Sequence, residues 1–229
     1  MKKIFYILMA ALALVAVSCE KTTEGLTGIT YYPVITLNGD YGVVYLGETY
    51  EDPGCVAIMN GEDVTSQVSV SSNVNPNRIG EYSVTYSVVN EQGFSATATR
   101  PVYVVAEDSI ENIYFSVVHG KFDGGVIYVT DNGDGTYHIS DICGGYYSYY
   151  KYPGYDAYGY DFYAEADFTI AEDGTITQVG DALNWYFGDP GDPSTMENGV
   201  YDAETGGFYW DMCFSGARNF YVNLYAIVK

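Results

Sequence analysis

The residues best suited to chemistry in this sequence are aromatic, and many of them fall in one short segment. Nine tyrosines occupy residues 146–163, together with Pro153 and several glycine and alanine spacers. A tyrosine offers a flat apolar face and a polar hydroxyl, so it stacks on sugar rings or peptide side chains at low entropic cost. The segment predicts a ligand-binding loop whose contacts are expected from its middle tyrosines: Tyr152, Tyr155, Tyr158 and Tyr160.

Packing is the alternative role for these rings. It is favoured for Tyr146, Tyr147 and Tyr163, which lie at the strand-like ends of the segment. For the four middle tyrosines, packing and ligand contact both stay open. We expect the segment to be a loop without regular structure, and loops of this length are more often functional or mobile than not.

A second aromatic cluster lies in residues 184–190, at the entry to a stretch rich in Gly and Pro. Its Trp185 and Tyr186 are candidate ligand contacts, because exposed aromatic clusters mark interaction sites. Capping of one end of the fold is the alternative. Trp210 differs, because it alternates with Phe208 and Met212, and this pattern predicts a core residue.

Metal binding and catalysis have little support. Asp131, Asn132 and Asp134 have the spacing of the first ligands of a calcium loop, but no Glu follows at the required distance, and a hairpin turn explains them better. The two histidines, His119 and His138, accompany no nucleophile motif, and His138 is expected to be exposed. We predict a non-catalytic protein with no metal and no cofactor.

The start of the chain has the layout of a secretion signal: a positive start, an apolar run from Ile4 to Val17, and then Ser18 and Cys19. The apolar run is too short to span a membrane. Residues 16–19 resemble the lipobox of bacterial lipoproteins, although an ordinary signal with a chance Cys is the alternative. The resemblance implies removal of residues 1–18, a diacylglyceryl group on the Cys19 thiol and acylation of its freed amine. Several acyl chains on one residue give stable anchoring.

Three further cysteines, Cys55, Cys143 and Cys213, cannot all pair with one another. A bridge between Cys143 and Cys213 is one possibility, and burial of all three as small apolar residues is slightly favoured.

Charge limits the partners. Without residues 1–18 the chain has seven basic and 30 acidic residues, so its formal charge is −23. Nucleic acid is excluded as a partner, because phosphate binding needs clustered Lys and Arg. An anionic membrane surface would repel the protein body, so the lipid must provide the anchoring.

Short alternating runs and frequent turns predict an all-β protein built from two consecutive antiparallel β-sandwich domains. The clearest strand is Gly80–Val89, in which Tyr82, Val84, Tyr86 and Val88 share one face. A returning strand follows, and Arg100-Pro101 interrupts it, which suits an edge or a bulge. The predicted organisation is a lipidated tether (19–32), a first domain (33–105), a hinge (106–109) and a second domain without helices (110–229).

The first domain resembles a family of bacterial immunoglobulin-like surface domains. The resemblance rests on residues 33–39 (PVITLNG), 50–54 (YEDPG), 63–68 (DVTSQV), 80–82 (GEY) and 85–88 (TYSV). It implies an immunoglobulin-like sandwich that serves as a spacer or adhesive module, and it implies no chemistry.

The second domain resembles an uncharacterised β domain of lipoproteins from the Bacteroidetes. The matching residues are 134–137 (DGTY), 139–141 (ISD), 144–147 (GGYY), 198–202 (NGVYD), 205–206 (TG) and Trp210. Such lipoproteins are similar to accessory subunits of starch-utilisation-type (SusC/SusD-like) uptake systems. The resemblance implies a cell-surface lipoprotein of the outer membrane that captures a glycan or peptide nutrient for the transporter. The alternative is a structural subunit or adhesin that binds only protein, and a periplasmic orientation also stays open.

Overall fold

The computed structural model describes residues 29–160, 162–183, 194–214 and 217–227. Strands dominate these residues, which confirms the all-β prediction. No helix in this described part of the chain is both long and apolar enough to cross a membrane.

The first domain is a sandwich of two small sheets. In chain order its strands are β1 (Val34–Leu37), β2 (Gly42–Tyr45), β3 (Cys55–Met59), β4 (Glu62–Asp63), β5 (Ser69–Ser72), β6 (Gly80–Val89) and β7 (Ser95–Val105), with a short 3₁₀ helix at Thr65–Gln67. One sheet has the order β1-β3-β4, and the other has the order β2-β7-β6-β5. The pairing is antiparallel except between β2 and β7, which run parallel. The prediction of a purely antiparallel sandwich was therefore wrong at this one pair, because a four-residue strand gives no sequence signal for its partner.

The alternation predicted for β6 is confirmed. Val84, Tyr86 and Val88 are buried between the sheets, and Tyr82 packs beside them. The edge alternative predicted for Arg100-Pro101 matches the structure, and the bulge alternative does not: β7 runs through both residues without a register shift, and only β6 pairs with it there. The strand tolerates the proline because β2 pairs with β7 only from Val102 onward, so no bond to β2 is lost at Pro101.

The second domain is a closed eight-stranded antiparallel barrel, and the prediction of a second sandwich was wrong. Its strands are β8 (Asn112–Val118), β9 (Phe122–Asp131), β10 (Tyr137–Ile139), β11 (Glu165–Ile170), β12 (Thr175–Leu183), β13 (Ser194–Asp202), β14 (Gly207–Phe214) and β15 (Ala217–Ala226). The last strand pairs with the first of the domain, Val222 opposite Val118, and this pairing closes the sheet. Sandwiches and barrels share the same alternation within each strand, so the difference arises from pairing between distant strands.

Inward-facing side chains fill the barrel. Trp210 is 1% exposed, and its indole nitrogen donates a hydrogen bond of 2.8 Å to the carbonyl oxygen of Ile142. The core position predicted for Trp210 is confirmed. Phe168 packs against Phe208 with the rings edge to face, at a centroid distance of 5.9 Å. Among the described residues the inward side chains form one packed cluster, which makes the barrel a support for its loops.

The two domains are packed directly together. Asn112 holds the linker, because its side-chain amide donates to the carbonyl of Ala106 (2.8 Å) and its oxygen accepts from the Ala106 N–H (3.2 Å). Tyr103 of β7 meets Phe115 of β8 edge to face, with 5.1 Å between ring centroids. Glu81 joins the two domains as well, because its backbone N–H donates to the hydroxyl of Tyr128, and desolvation raises the pKa of its carboxyl.

Candidate functional site

The tyrosine segment joins β10 to β11 and lies across one end of the barrel. In an antiparallel barrel the β8–β9 and β10–β11 connections fall at the same end, and β12 ends there as well. The other end carries the tight turns after β9, β11 and β13 and the entry from the first domain. The segment is therefore opposite the end at which the chain enters the barrel.

Asp141 fixes both ends of this segment, and the sequence analysis did not identify it. Its carboxylate is fully buried and accepts backbone hydrogen bonds from Cys143 (2.9 Å), Gly145 (2.9 Å) and Ala164 (3.1 Å). The first two donors begin the segment and the third ends it. The sequence signal was weak, since one Asp among 30 acidic residues has no distinguishing spacing.

Two glycines let the chain approach the barrel closely after Asp141. Gly144 has a φ of +63°, and a Cβ there would lie 2.6 Å from the Ser116 hydroxyl and 2.7 Å from Val222. The carbonyl of Gly144 accepts a hydrogen bond from that hydroxyl at 2.7 Å. Only glycine fits this position.

The segment then forms two short helices, so the expectation of a loop without regular structure was wrong. A π-helix spans Tyr146–Lys151, and a 3₁₀ helix spans Tyr155–Tyr158 between two glycines in the left-handed region. Contacts between the crowded rings explain these two helices, because the contacts fix the backbone where no strand pairing is present. The domain thus contains helices that its strand pattern did not indicate.

The tyrosines at the start of the segment pack onto the barrel, as the packing alternative predicted for them. Tyr146 and Tyr147 are half-buried and contact Phe220, and Tyr147 also contacts Phe214. Burial, followed by its neighbours Cys143, Tyr146 and Tyr152, raises the pKa of Tyr147 to about 12. The ammonium of Lys151 lies over the rings of Tyr147 and Tyr152, 5.2 and 5.3 Å from their centroids.

Three of the four predicted ligand contacts form an exposed group, which we call the tyrosine platform: Tyr155, Tyr158 and Tyr160. Their exposed fractions are 45%, 78% and 41%. The ring of Tyr155 lies in the middle, with its centroid 6.1 Å from that of Tyr158 and 6.2 Å from that of Tyr160. The platform is therefore a contiguous group of exposed aromatic rings.

Tyr152, the fourth predicted contact, supports the platform from beneath. It is half-buried, stacks on Phe162 at 4.5 Å, and meets Tyr155 at 5.6 Å. The cavity at this place is only about 10 Å³ in volume. It is lined by Ser148, Tyr152, Asp156, Tyr160, Phe162 and Tyr163. A ligand would lie across these rings and not enter them.

Tyr150 was not singled out from the sequence, although it is 59% exposed. It packs against Phe122 and Tyr146 at the β8–β9 side of the same barrel end. Trp185 and Tyr186, the other predicted contacts, and the lipidation residue Cys19 lie outside the described residues. Their roles stay predictions.

The polar candidates have structural partners. Asp131 and Asp134 accept turn hydrogen bonds from the N–H groups of Gly133 (2.7 Å) and Thr136 (3.0 Å), as a hairpin turn requires. No group of three or more His, Cys, Asp or Glu residues within the described ranges could hold a metal ion.

The two histidines lie on the barrel wall. His138 is partly exposed and contacts Asp167 through Nδ1 at 2.8 Å, and His119 stacks on Tyr221 at 4.2 Å. Cys143 and Cys213 are both buried, and Cys143 is a free thiol whose pKa is raised by burial and by Asp141. None of these contacts activates a nucleophile.

Fold and site together define an all-β protein with a two-sheet sandwich domain followed by a barrel that presents aromatic side chains at one end. A family model described as "Bacterial surface protein, Ig-like domain" matches residues 35–104. A second family model, of a C-terminal domain, matches residues 101–226, more than half of the chain.

The chain belongs to the BT2262-like lipoprotein family. It is similar to the crystal structure of the lipoprotein BT2262 from Bacteroides thetaiotaomicron, with 28% sequence identity and a TM-score of 0.56. The match covers 85% of this chain and 100% of that one. No curated protein matches the chain.

Two structures of Clostridium perfringens ZmpB are more distant. One holds its CBM51-2 domain in complex with GlcNAc together with INT domains (14% identity, TM-score 0.29, 84% of this chain and 43% of that one). The other holds its M60 catalytic domain with CBM51-1 and CBM51-2 (12% identity, TM-score 0.31, 87% of this chain and 21% of that one). At these TM-scores neither likeness bears on the function of this chain.

Proposed function

We propose that this lipoprotein is a non-catalytic capture subunit that binds a glycan or peptide nutrient on the tyrosine platform. The exposure of Tyr158, at 78%, within a contiguous aromatic group carries the proposal. Exposed rings keep apolar surface in contact with water, which is unfavourable. A ligand with flat apolar faces can cover this surface. The tyrosine hydroxyls can then bond to the polar groups of sugars or peptides.

The position of the platform supports capture. It lies at the barrel end opposite the entry of the chain, while the lipid anchor expected at Cys19 precedes the first domain. The immunoglobulin-like domain would act as the spacer between membrane and platform. Trp185 and Tyr186 follow the end of β12, which lies at the platform end, and we include them among the proposed contacts.

We further propose an outer-membrane location facing the cell exterior, beside SusC/SusD-like transporter subunits that receive the ligand. Protease shaving of intact cells tests the orientation. Loss of the barrel domain from intact cells is the expected result, and its full protection would assign the protein to the periplasmic face.

Retention of the chain by glycans and peptides in affinity electrophoresis tests the platform. The double variant Tyr158→Ala/Tyr160→Ala removes two exposed rings, and we expect at least a roughly tenfold loss of affinity. Tyr225→Ala is the matched control, because Tyr225 is also exposed but lies on the barrel wall. Equal retention by the double variant and the control would remove the platform from the proposal.

A second candidate function, a structural subunit that binds only protein, is favoured by one observation. The cavity at the platform is too small for a ligand, so the exposed rings form an open surface of the kind that protein partners also cover. A stable stoichiometric complex in mild detergent, without affinity for any soluble glycan or peptide, would support this alternative.

A further inference from the structure

A second exposed apolar surface lies on the first domain. Val34 and Ile58 face each other across β1 and β3 and are 61% and 40% exposed, and Val56 beside them is 41% exposed. Tyr32 precedes β1 and meets Phe94 edge to face at 5.1 Å. We call these residues the outer patch: Tyr32, Val34, Val56, Ile58 and Phe94.

The outer patch faces away from the barrel. The two sheets of the sandwich enclose Val102 and Val104, while Tyr103 and Val105, on the other side of β7, pack against the barrel strand β8. The sheet that holds β1 and β3 is thus the outer layer of the domain. Its exposed β-branched side chains are of a kind that natural sheets usually cover, and the carboxylate of Asp63, opposite Ile58, borders them on β4.

The length of the chain before this patch limits what can cover it. Nine residues lie between Cys19 and Ile29, the first residue that the structure describes, so the two are at most about 36 Å apart. Ile29 is itself 73% exposed. If Cys19 is lipidated, the bilayer is the nearest large apolar phase. The anchor keeps the first domain beside the bilayer at a high effective concentration, so a weak apolar interaction is enough to hold the patch there.

We infer that the outer patch rests in the interfacial layer of the membrane that holds the lipid anchor. Tyrosine and phenylalanine are suited to this layer because their rings are apolar and a hydroxyl can remain among the headgroups. The valine and isoleucine side chains add apolar area, and the exposed carboxylate of Asp63, opposite Ile58, marks the edge of the patch that stays in water. The occupant is lipid, and the contact fixes the first domain on the membrane independently of any ligand bound by the barrel.

Tryptophan reporters in the lipidated full chain test this inference. Tyr32→Trp places a reporter in the patch, and Tyr225→Trp places one on the barrel wall as the matched control. The proteins are reconstituted into phosphatidylcholine vesicles with brominated acyl chains, and the quenching of the unsubstituted chain, due to Trp185 and Trp210, is subtracted. We expect roughly threefold more quenching for Tyr32→Trp, since bromine quenches only rings that enter the interface.

Charge in the patch should reverse this result. In the Tyr32→Trp chain, Val34→Glu/Ile58→Glu should lower quenching to the level of the control, while Val70→Glu, an exposed valine of the other sheet, should not. Equal quenching at both reporter positions overturns the inference. The inference is also overturned if the membrane-bound chain has no acyl groups on Cys19. A cross-linked dimer that the glutamate variant abolishes would overturn it too, because a second copy would then cover the patch.

Discussion

The ring of Tyr152 stacks on the ring of Phe162, with centroids 4.5 Å apart and planes inclined by 23°. This contact joins the two halves of the tyrosine segment and places Tyr155 above them. Tyr152 was predicted from the sequence as an equal of its neighbours, but the geometry separates the rings into a supporting one and three exposed ones.

This separation predicts unequal losses of stability for two alanine variants. Tyr152→Ala should lower the free energy of unfolding by about 2 kcal/mol, because it opens a space beneath the platform. Tyr158→Ala should change it by less than about 0.5 kcal/mol, because the ring is mostly in water. Urea unfolding followed by near-UV circular dichroism measures both. A comparable loss of stability in the two variants would contradict the assignment of support and contact.

Burial of tyrosine hydroxyls predicts that stability falls at high pH. The pKa of Tyr147 is about 12 in the folded protein, raised mainly by burial, against 10.0 when exposed. Between these values the unfolded chain releases its proton while the folded chain keeps it, so the stabilisation is complete below pH 10 and is lost as the pH rises toward 12. The pKa values of Tyr149 and Tyr114 are also raised, again mainly by burial.

The Tyr147→Phe variant isolates one of these groups. Because Tyr147 is only half-buried, its share of the loss between pH 9 and pH 12 should be at most about 2 kcal/mol. Urea midpoints across this range should fall less steeply for the variant than for the unsubstituted chain. Tyr158→Phe is the control, because it removes a hydroxyl from a ring that is 78% exposed. Identical slopes for all three proteins would show that Tyr147 ionises as freely in the folded state as in the unfolded one.

The three backbone bonds of Asp141 predict that this carboxylate holds the segment closed. Asp141→Asn keeps the shape of the side chain but removes the charge that strengthens these hydrogen bonds, and it places an amide donor among backbone N–H groups. We therefore expect the free energy of unfolding to fall by about 2 kcal/mol. Amide hydrogen exchange at Cys143, Gly145 and Ala164 should speed up before exchange in the barrel strands does. Asp123→Asn, at an exposed carboxylate of β9, should leave all three amides as they are; if both variants behave alike, Asp141 is not the clamp.

Local pattern predicted much of the interior. The alternation of β6 placed Val84, Tyr86 and Val88 inward, and Trp210 was assigned to the core from its neighbours Phe208 and Met212. Such assignments succeed because side chains in a strand alternate between its two faces whatever the partner strand is.

Long-range pairing could not be predicted in the same way. The barrel closes through β8 and β15, which lie about one hundred residues apart, and neither strand carries a signal for the other. For the site, the abundance of tyrosine located the platform, but the backbone around it depends on Asp141 and on ring contacts within the segment. The family resemblance gave the order of the domains, not the geometry of the binding surface.

Arg100 illustrates the same limit and gives the last prediction. Its fully buried guanidinium pairs with Asp52, lies against the hydroxyl of Tyr86, and donates to the carbonyl oxygens of Gly54 (2.7 Å) and Asn38 (3.2 Å). Asp52→Ala leaves the buried guanidinium of Arg100 without its counter-charge, so the free energy of unfolding should fall by about 3 kcal/mol. Arg78→Ala, at an exposed arginine, should cost less than about 0.5 kcal/mol.

The double variant Asp52→Ala/Arg100→Met distinguishes an unpaired charge from lost packing. Methionine fills part of the arginine volume without a charge, so the double variant should be more stable than Asp52→Ala alone. Urea unfolding of all four proteins measures the series. A double variant no more stable than Asp52→Ala would mean that the carbonyl contacts of Arg100, and not its pairing with Asp52, hold this end of the first domain together.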